Sequence, residues 1–154
     1  MALGGPPSLK GRALRLLSAR EHSRAELLAK LREHEQAPGE LAAVLDELQA
    51  KGLLNEARVV QSVVHRRAAR LGTQRVRAEL QAKGLPASLI DEAVGELQQT
   101  EEARARAVWQ RKFGTVAVDP REQARQMRFL AGRGFSAAVV RRVVRGAEGE
   151  DGGE

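Results

Sequence analysis

The chain has 154 residues, 42% hydrophobic and 30% charged, with 3% aromatic residues and no cysteine, the composition of a globular or repeat protein in water. Without cysteine there is no disulfide, thiolate metal site or cysteine nucleophile, and a reducing compartment fits. No apolar run nears the roughly 18 residues of a membrane span, and residues 1–8 lack a signal-peptide core; a cytoplasmic protein is expected, and a formal net charge of +6 leaves polyanions and acidic proteins as candidate partners.

Apolar residues follow helical spacing almost throughout and never alternate as in a half-buried strand, so an all-α fold is expected. Residues 1–10 read as a flexible arm. The first unit, residues 11–53, begins with Leu14 and Leu17. Ser23, with Glu26 completing an S-x-x-E box, opens a second helix bearing Leu31, and Leu41, Leu45 and Leu48 mark a third. The second unit, residues 54–98, repeats this order: Val59, Val60, Val63 and Val64, then Leu80 on a helix opened by Thr73, then Ile90, Val94 and Leu97. The third, residues 99–146, has Val108, Trp109 and Phe113, then Leu130 on a helix opened by Asp119 and Pro120, then Val140, Val144 and Ala147.

Leu31, Leu80 and Leu130 are thus equivalent points, each followed by the same apolar stripe, and the period of about fifty residues indicates an internal repeat. Breaks at 36–39, 52–55, 71–73, 84–86, 114–119 and 132–136 contain the Gly, Pro or Ser residues that end and start helices. Nine helices of about three turns, grouped as three tandem three-helix repeats in an elongated, curved array, are predicted. Each unit is too small to be stable alone, so neighbouring units are expected to share apolar faces. Residues 147–154 read as an acidic disordered tail.

Enzymatic constellations are missing. His22, His34 and His65 stand at no metal-ligand spacing and read as surface or helix-end histidines. No phosphate-binding glycine loop is present, and the Gly132-Arg133-Gly134 turn reads as a helix connection. The carboxylates Glu33/Glu35, Asp91/Glu92 and Glu101/Glu102 stand beside basic residues and read as solvated surface. No cofactor is called for.

Charge is the informative feature. Of 26 basic residues 21 are arginine, and residues 99–146 set eleven Lys and Arg against four Asp and Glu. Arg121, Arg125 and Arg128 fall on one face of a helix, and Arg141, Arg142 and Arg145 crowd the polar side of the next. With Arg104, Arg111 and Arg133 they form the candidate set for binding a polyanion or an acidic protein surface, since arginine pairs bidentately with phosphate or carboxylate. Trp109 and Phe113 could stack bases, but core packing is the favoured reading for both.

Four segments carry a resemblance to a known family: Ala13-Leu14-Arg15-Leu16-Leu17 leading to Ser23-Arg24-Ala25-Glu26-Leu27-Leu28-Ala29-Lys30-Leu31; Gly52-Leu53-Leu54-Asn55-Glu56; Gly72 through Arg75 to Glu79-Leu80 with Lys83-Gly84-Leu85; and Phe129-Leu130 with Arg133-Gly134-Phe135-Ser136. In this order they resemble the RecX family of recombination regulators. Val59, Val60 and Val63 stand where that family usually shows Phe-Ala and a further aromatic, which keeps the apolar character. The resemblance implies three three-helix repeats and a non-enzymatic negative modulator of RecA. It implies binding along the groove of the RecA-DNA filament that reduces ATP turnover, strand exchange and co-protease activity. A monomer that contacts RecA protein and RecA-DNA filaments, with nucleic-acid contact open, is expected. The alternatives are a direct DNA-binding protein, through helix-turn-helix geometry around Gly84 or Gly134, and a structural helical adaptor.

Overall fold

The computed structural model describes residues 6–152, with side chains as far as residue 146. Among the described residues there are eight α-helices, a short 3-10 turn and no strand. The first three helices are α1 (Leu9–Ala19), α2 (Arg24–Leu31), extended by a 3-10 turn (Arg32–His34), and α3 (Glu40–Ala50); α4 (Glu56–Arg67) and α5 (Thr73–Ala82) follow. The last three are α6 (Ala87–Lys112), α7 (Pro120–Gly132) and α8 (Ala137–Gly152). The α8 backbone runs past the boundary expected at residue 146; extending an existing helix costs far less than nucleating one.

Helix starts follow from short polar side chains that satisfy free amides. Ser23 Oγ accepts from the Glu26 N–H at 3.0 Å while Glu26 Oε1 accepts from the Ser23 N–H at 2.9 Å, the reciprocal box read from the sequence. Asn55 caps α4, and Asp119 caps α7 with Pro120 in its first turn. Thr73 departs from expectation: the α5 cap is Gly72, and the Thr73 N–H is met by a carboxylate from another helix, described below.

Eight helices replace the expected nine because α6, 26 residues long, fuses the last helix of the second unit with the first of the third. Between Gly95 and Gly114 the sequence holds neither Gly nor Pro and is rich in Glu, Gln, Ala and Arg, so nothing halts the helix at residue 98. The second and third units therefore share one rigid rod.

The main helix contacts fall into three trios, α1/α2/α3, α4/α5/α6 and α6/α7/α8. Each trio encloses its own apolar cluster, built on Leu27, Leu31, Leu45 and Leu48, on Val63, Val76, Leu80 and Val94, and on Ala105, Trp109, Leu130 and Val144. Every described side chain of the three matched stripes is buried, while the Ala147 side chain lies outside the described residues. The expectation that units share apolar faces is corrected. Their junctions are formed by helix ends, whose free N–H and C=O groups demand polar partners.

The same junction is used twice. Between the first two units, the Ser23 hydroxyl donates to the Lys83 carbonyl at the end of α5, and the Arg24 N–H donates to Glu56 Oε2 at 3.1 Å. Between the second and third, the Gly72 N–H donates to the Arg133 carbonyl at 2.8 Å, and the Thr73 N–H donates to Glu101 Oε1 at 3.3 Å. In each case the start of one unit's middle helix sits on the last turn of the next unit's middle helix, and a glutamate from the next unit's first helix accepts from an α-helical amide. Gly134, at φ +95°, makes this approach possible: a Cβ there would lie 2.8 Å from the Arg75 nitrogen. Gly84, at φ +69°, occupies the corresponding place against Ala25.

Two outcomes follow. Leu80 is fully buried, so Leu80→Ala should lower unfolding free energy by about 2–5 kcal/mol in a denaturant titration; a loss under about half a kcal/mol would remove it from the core. Glu26 is a junction residue as well as a cap. Burial pushes its carboxyl up, but the Arg20 guanidinium, the Ser23 amide and Lys83 outweigh this and hold it at about 2. Its stabilisation is therefore complete above the ordinary glutamate range and is lost as pH falls toward about 2. Unfolding measured across that interval should show a steeper loss in the natural protein than in Glu26→Gln, and equal slopes would contradict the assignment.

Candidate functional site

The nine arginines proposed from charge divide sharply once placed. Arg104 is structural. From α6 its guanidinium donates to the carbonyls of Leu71 at 2.7 Å, Leu97 at 2.9 Å and Ala68 at 3.0 Å, and to Thr73 Oγ1 at 3.2 Å. Burial pushes its pKa down while Glu101 pulls it up, and few donors remain for a ligand. Arg142 reaches across to α6, where Glu102 Oε1 accepts from its Nε at 2.6 Å, and Arg125 is held by Glu122 at 2.9 Å on its own helix.

Arg121 and Arg128 on α7, and Arg141 and Arg145 on α8, are exposed and have no side-chain partner among the described residues. The i, i+4, i+7 spacing of the α7 stripe survives, with its middle member partly neutralised by Glu122. Arg111 and Arg133 lie elsewhere, at the ends of α6 and α7. With Arg70 and Lys112, which charge clustering in the sequence did not single out, they line a cavity of about 260 Å³ floored by Phe129 and Val108.

The aromatic residues are settled by burial. Trp109 is core, its Nε1–H donating to Gln126 Oε1 at 2.8 Å, and Gln126 in turn donates to the Thr115 carbonyl at 3.1 Å. Phe113 meets Phe129 edge-on, with ring centroids 5.5 Å apart, and Arg125 stands over Phe113 at 5.1 Å. Neither Trp109 nor Phe113 offers a free face for stacking bases.

Two polar residues are buried more deeply than a solvated surface allows. Glu101, expected on a solvated face, is 5% exposed and accepts from two backbone amides, those of Thr73 at 3.3 Å and Ser136 at 2.8 Å. Only the approach of two helix starts from distant sequence makes that burial inexpensive, and local charge pattern carries no trace of it. His22, expected at the surface or at a helix end, stands at a helix end, directly before the Ser23 cap, and there it is 2% exposed rather than on the surface. Its Nδ1 lies 3.0 Å from the Arg20 carbonyl, which can only accept, and its Nε2 lies 3.3 Å from the Lys30 ammonium, which can only donate. Burial, with Arg20 and Lys30 adding to it, pushes its pKa down, so a neutral imidazole protonated on Nδ1 fits both partners.

No group of three or more potential metal ligands occurs among the described residues, and no helix there is long and apolar enough to cross a membrane. Three helical units joined end to end, with open cationic faces on the last, define a tandem three-helix repeat protein. Three family signatures match in order: RecX, first three-helix domain, at residues 10–48, the second at 55–94 and the third at 100–144. The "Regulatory protein RecX" of Leptothrix cholodnii is 58% identical over 143 residues, spanning 93% of this chain and 91% of that one. The protein of the same name from Ralstonia nicotianae is 48% identical over 151 residues, 97% and 95% of the two chains. A crystal structure of RecX from Lactobacillus salivarius superposes with a TM-score of 0.77, at 16% identity, over 91% of this chain and 94% of that one, which shows the fold. The chain belongs to the RecX family, a family of regulatory proteins rather than enzymes.

Removing Arg104 tests its structural role. Arg104→Gln leaves several carbonyls short of donors and should cost about 1–3 kcal/mol, seen as a lowered melting temperature. An unchanged melting temperature would return Arg104 to the set of open cations.

Proposed function

We propose that this chain is a negative modulator of the RecA recombinase, acting in the cytoplasm by binding along the groove of the RecA-DNA filament and reducing ATP turnover, strand exchange and co-protease activity. Membership of the RecX family supports this reading, and the carrying observation is the open arginine surface of α7 and α8, where Arg121, Arg128, Arg141 and Arg145 have no partner among the described residues. A filament presents repeated subunits and a phosphate backbone, and a tandem-repeat ligand engages several weak contacts at once, so linkage raises affinity without any single strong contact. The interaction is expected to weaken with salt.

Groove insertion by a helix-turn-helix is the less favoured alternative. The turns at Gly84 and Gly134 lie inside the unit junctions. The first turn of α8 exposes Ala137 and Ala138, whose side chains carry no hydrogen-bonding group for a base edge.

Replacing Arg121, Arg125 and Arg128 together by glutamate keeps helix propensity and should weaken inhibition of RecA ATP turnover on single-stranded DNA by about tenfold or more while leaving helix content and melting nearly unchanged. The protein alone is expected to hydrolyse no ATP. Normal folding with inhibition at the natural concentration would move the contact away from α7, and ATP hydrolysis without RecA that vanishes in a variant of this chain would overturn the regulatory reading.

A further inference from the structure

The cavity at the end of α6 has a composition that the fold does not require. Arg70, following α4, Arg111 and Lys112, ending α6, and Arg133, capping α7, line it together with Val108 and Phe129. None of the four cations has a carboxylate partner among the described residues. A purely structural account covers Arg111, whose guanidinium donates to the Ala69 carbonyl at 3.1 Å and so serves the end of α4. It does not cover the other three, which satisfy no backbone group with their side chains. Four like charges around about 260 Å³ repel one another, and such an arrangement is relieved by an anion.

The floor of the cavity holds two of these cations in place. Lys112 Nζ stands 5.1 Å from the centre of the Phe129 ring and the Arg133 guanidinium 4.9 Å from it, within cation–π range, while Phe113 meets the same ring edge-on. Held by the ring, both heads lose less freedom when an anion arrives than unanchored side chains would. The ring itself is engaged by cations and is not a platform for a base.

We propose that this cavity is a phosphate seat for the backbone of a single nucleic-acid strand, gripped through phosphate oxygens and indifferent to base sequence. The lining decides against an acidic peptide. A peptide brings N–H donors along with its carboxylates, and the lining residues offer cationic and apolar side chains with no acceptor to receive them, so each buried N–H would go unpaired. A phosphodiester brings acceptors only, in the tetrahedral arrangement that a guanidinium fork matches. The inference deepens the filament reading, because a nucleoprotein filament contains such a strand, but it assigns the strand to a place separate from the α7 and α8 faces.

The test uses the full chain and a fluorescently labelled oligothymidylate, with anisotropy read over a range of salt and without RecA. Arg70→Gln, Lys112→Gln and Arg133→Gln combined should weaken binding about tenfold or more, with a salt dependence shallower by about one counterion for each cation removed. The exposed single variants Arg70→Gln and Lys112→Gln carry the same test should the combined variant melt early. Unchanged affinity and slope in all of them would overturn the proposal. So would a polyglutamate peptide that binds as tightly as the oligonucleotide, or displacement of the oligonucleotide by equimolar pyrophosphate, which would make the cavity a seat for a small anion. The Arg121, Arg125 and Arg128 glutamate variant separates the two readings: if it alone loses the strand, the cavity proposal falls and the α7 face stands. If the cavity variants lose the strand while RecA is not inhibited even by the natural protein, the phosphate seat stands and the filament reading falls.

Discussion

A carboxylate buried between three pieces of chain organises the second half of this molecule. Glu101 projects from the long helix α6 and takes the N–H groups of Thr73 and Ser136, so the starts of α5 and α8 are both referred to one side chain. Next to it Arg104 gathers the carbonyls that end α4 and the strand of chain leading into α5. An anion at helix starts and a cation at helix ends is the arrangement the helix dipole favours, and here both are one turn apart on a single rod. The second and third units are thus joined by the shared helix α6 and by two neighbouring side chains on it whose bonds are directional. The second and third apolar clusters pack on the two ends of the same helix, which fixes their spacing, and the directional bonds of Glu101 and Arg104 add the contact between α5 and α8 that hydrophobic packing alone, being non-directional, does not specify.

This division of labour explains how a protein with 26 Lys and Arg against 20 Asp and Glu accommodates its surplus of positive charge. Part of the positive charge is absorbed by backbone carbonyls: Arg75 donates to the Gly132 carbonyl at 2.7 Å, Arg58 to the Gly52 carbonyl at 2.9 Å, and Arg104 to three carbonyls. Another part is held by short ion pairs such as Arg142 with Glu102 and Arg67 with Glu79. Other basic residues have neither kind of partner among the described residues, Arg121, Arg128, Arg141 and Arg145 of the third unit among them.

The periodic features were legible in the sequence, and the junctions were not. Leu31, Leu80 and Leu130 with their stripes fix three helical cores because burial follows a local period, and Ser23 and Asp119 reveal themselves as caps because their partners lie three residues away. The Thr73 hydroxyl suits a cap, but the cap position is Gly72, where a Cβ would lie 2.3 Å from the Gly134–Phe135 peptide. Glu101, Arg104 and His22 find their partners on other helices or in turns, and no spacing rule reports such meetings. Fusion of two helices into α6 is legible in the stretch without Gly or Pro between Gly95 and Gly114, but the repeat period, which marks equivalent residues and says nothing about pauses between units, points to nine separate helices instead.

The two junctions share a geometry, so they act as one operation applied twice, and the corresponding places elsewhere in the described residues are built differently. At the C-terminal end the α7 start is closed on itself: Asp119 accepts from Glu122 and Pro120 has no N–H to offer a following unit. At the N-terminal end, applying the spacing of Glu101 and Glu56 once more reaches Gly11, which has no carboxylate, and the turn after α2 runs through Glu35 at φ −75° rather than a left-handed glycine. Within the described residues the junction therefore occurs at two seams, and each seam hangs on a glycine of positive φ that ends a middle helix, so the fit between units is set by the absence of one carbon atom at Gly84 and at Gly134.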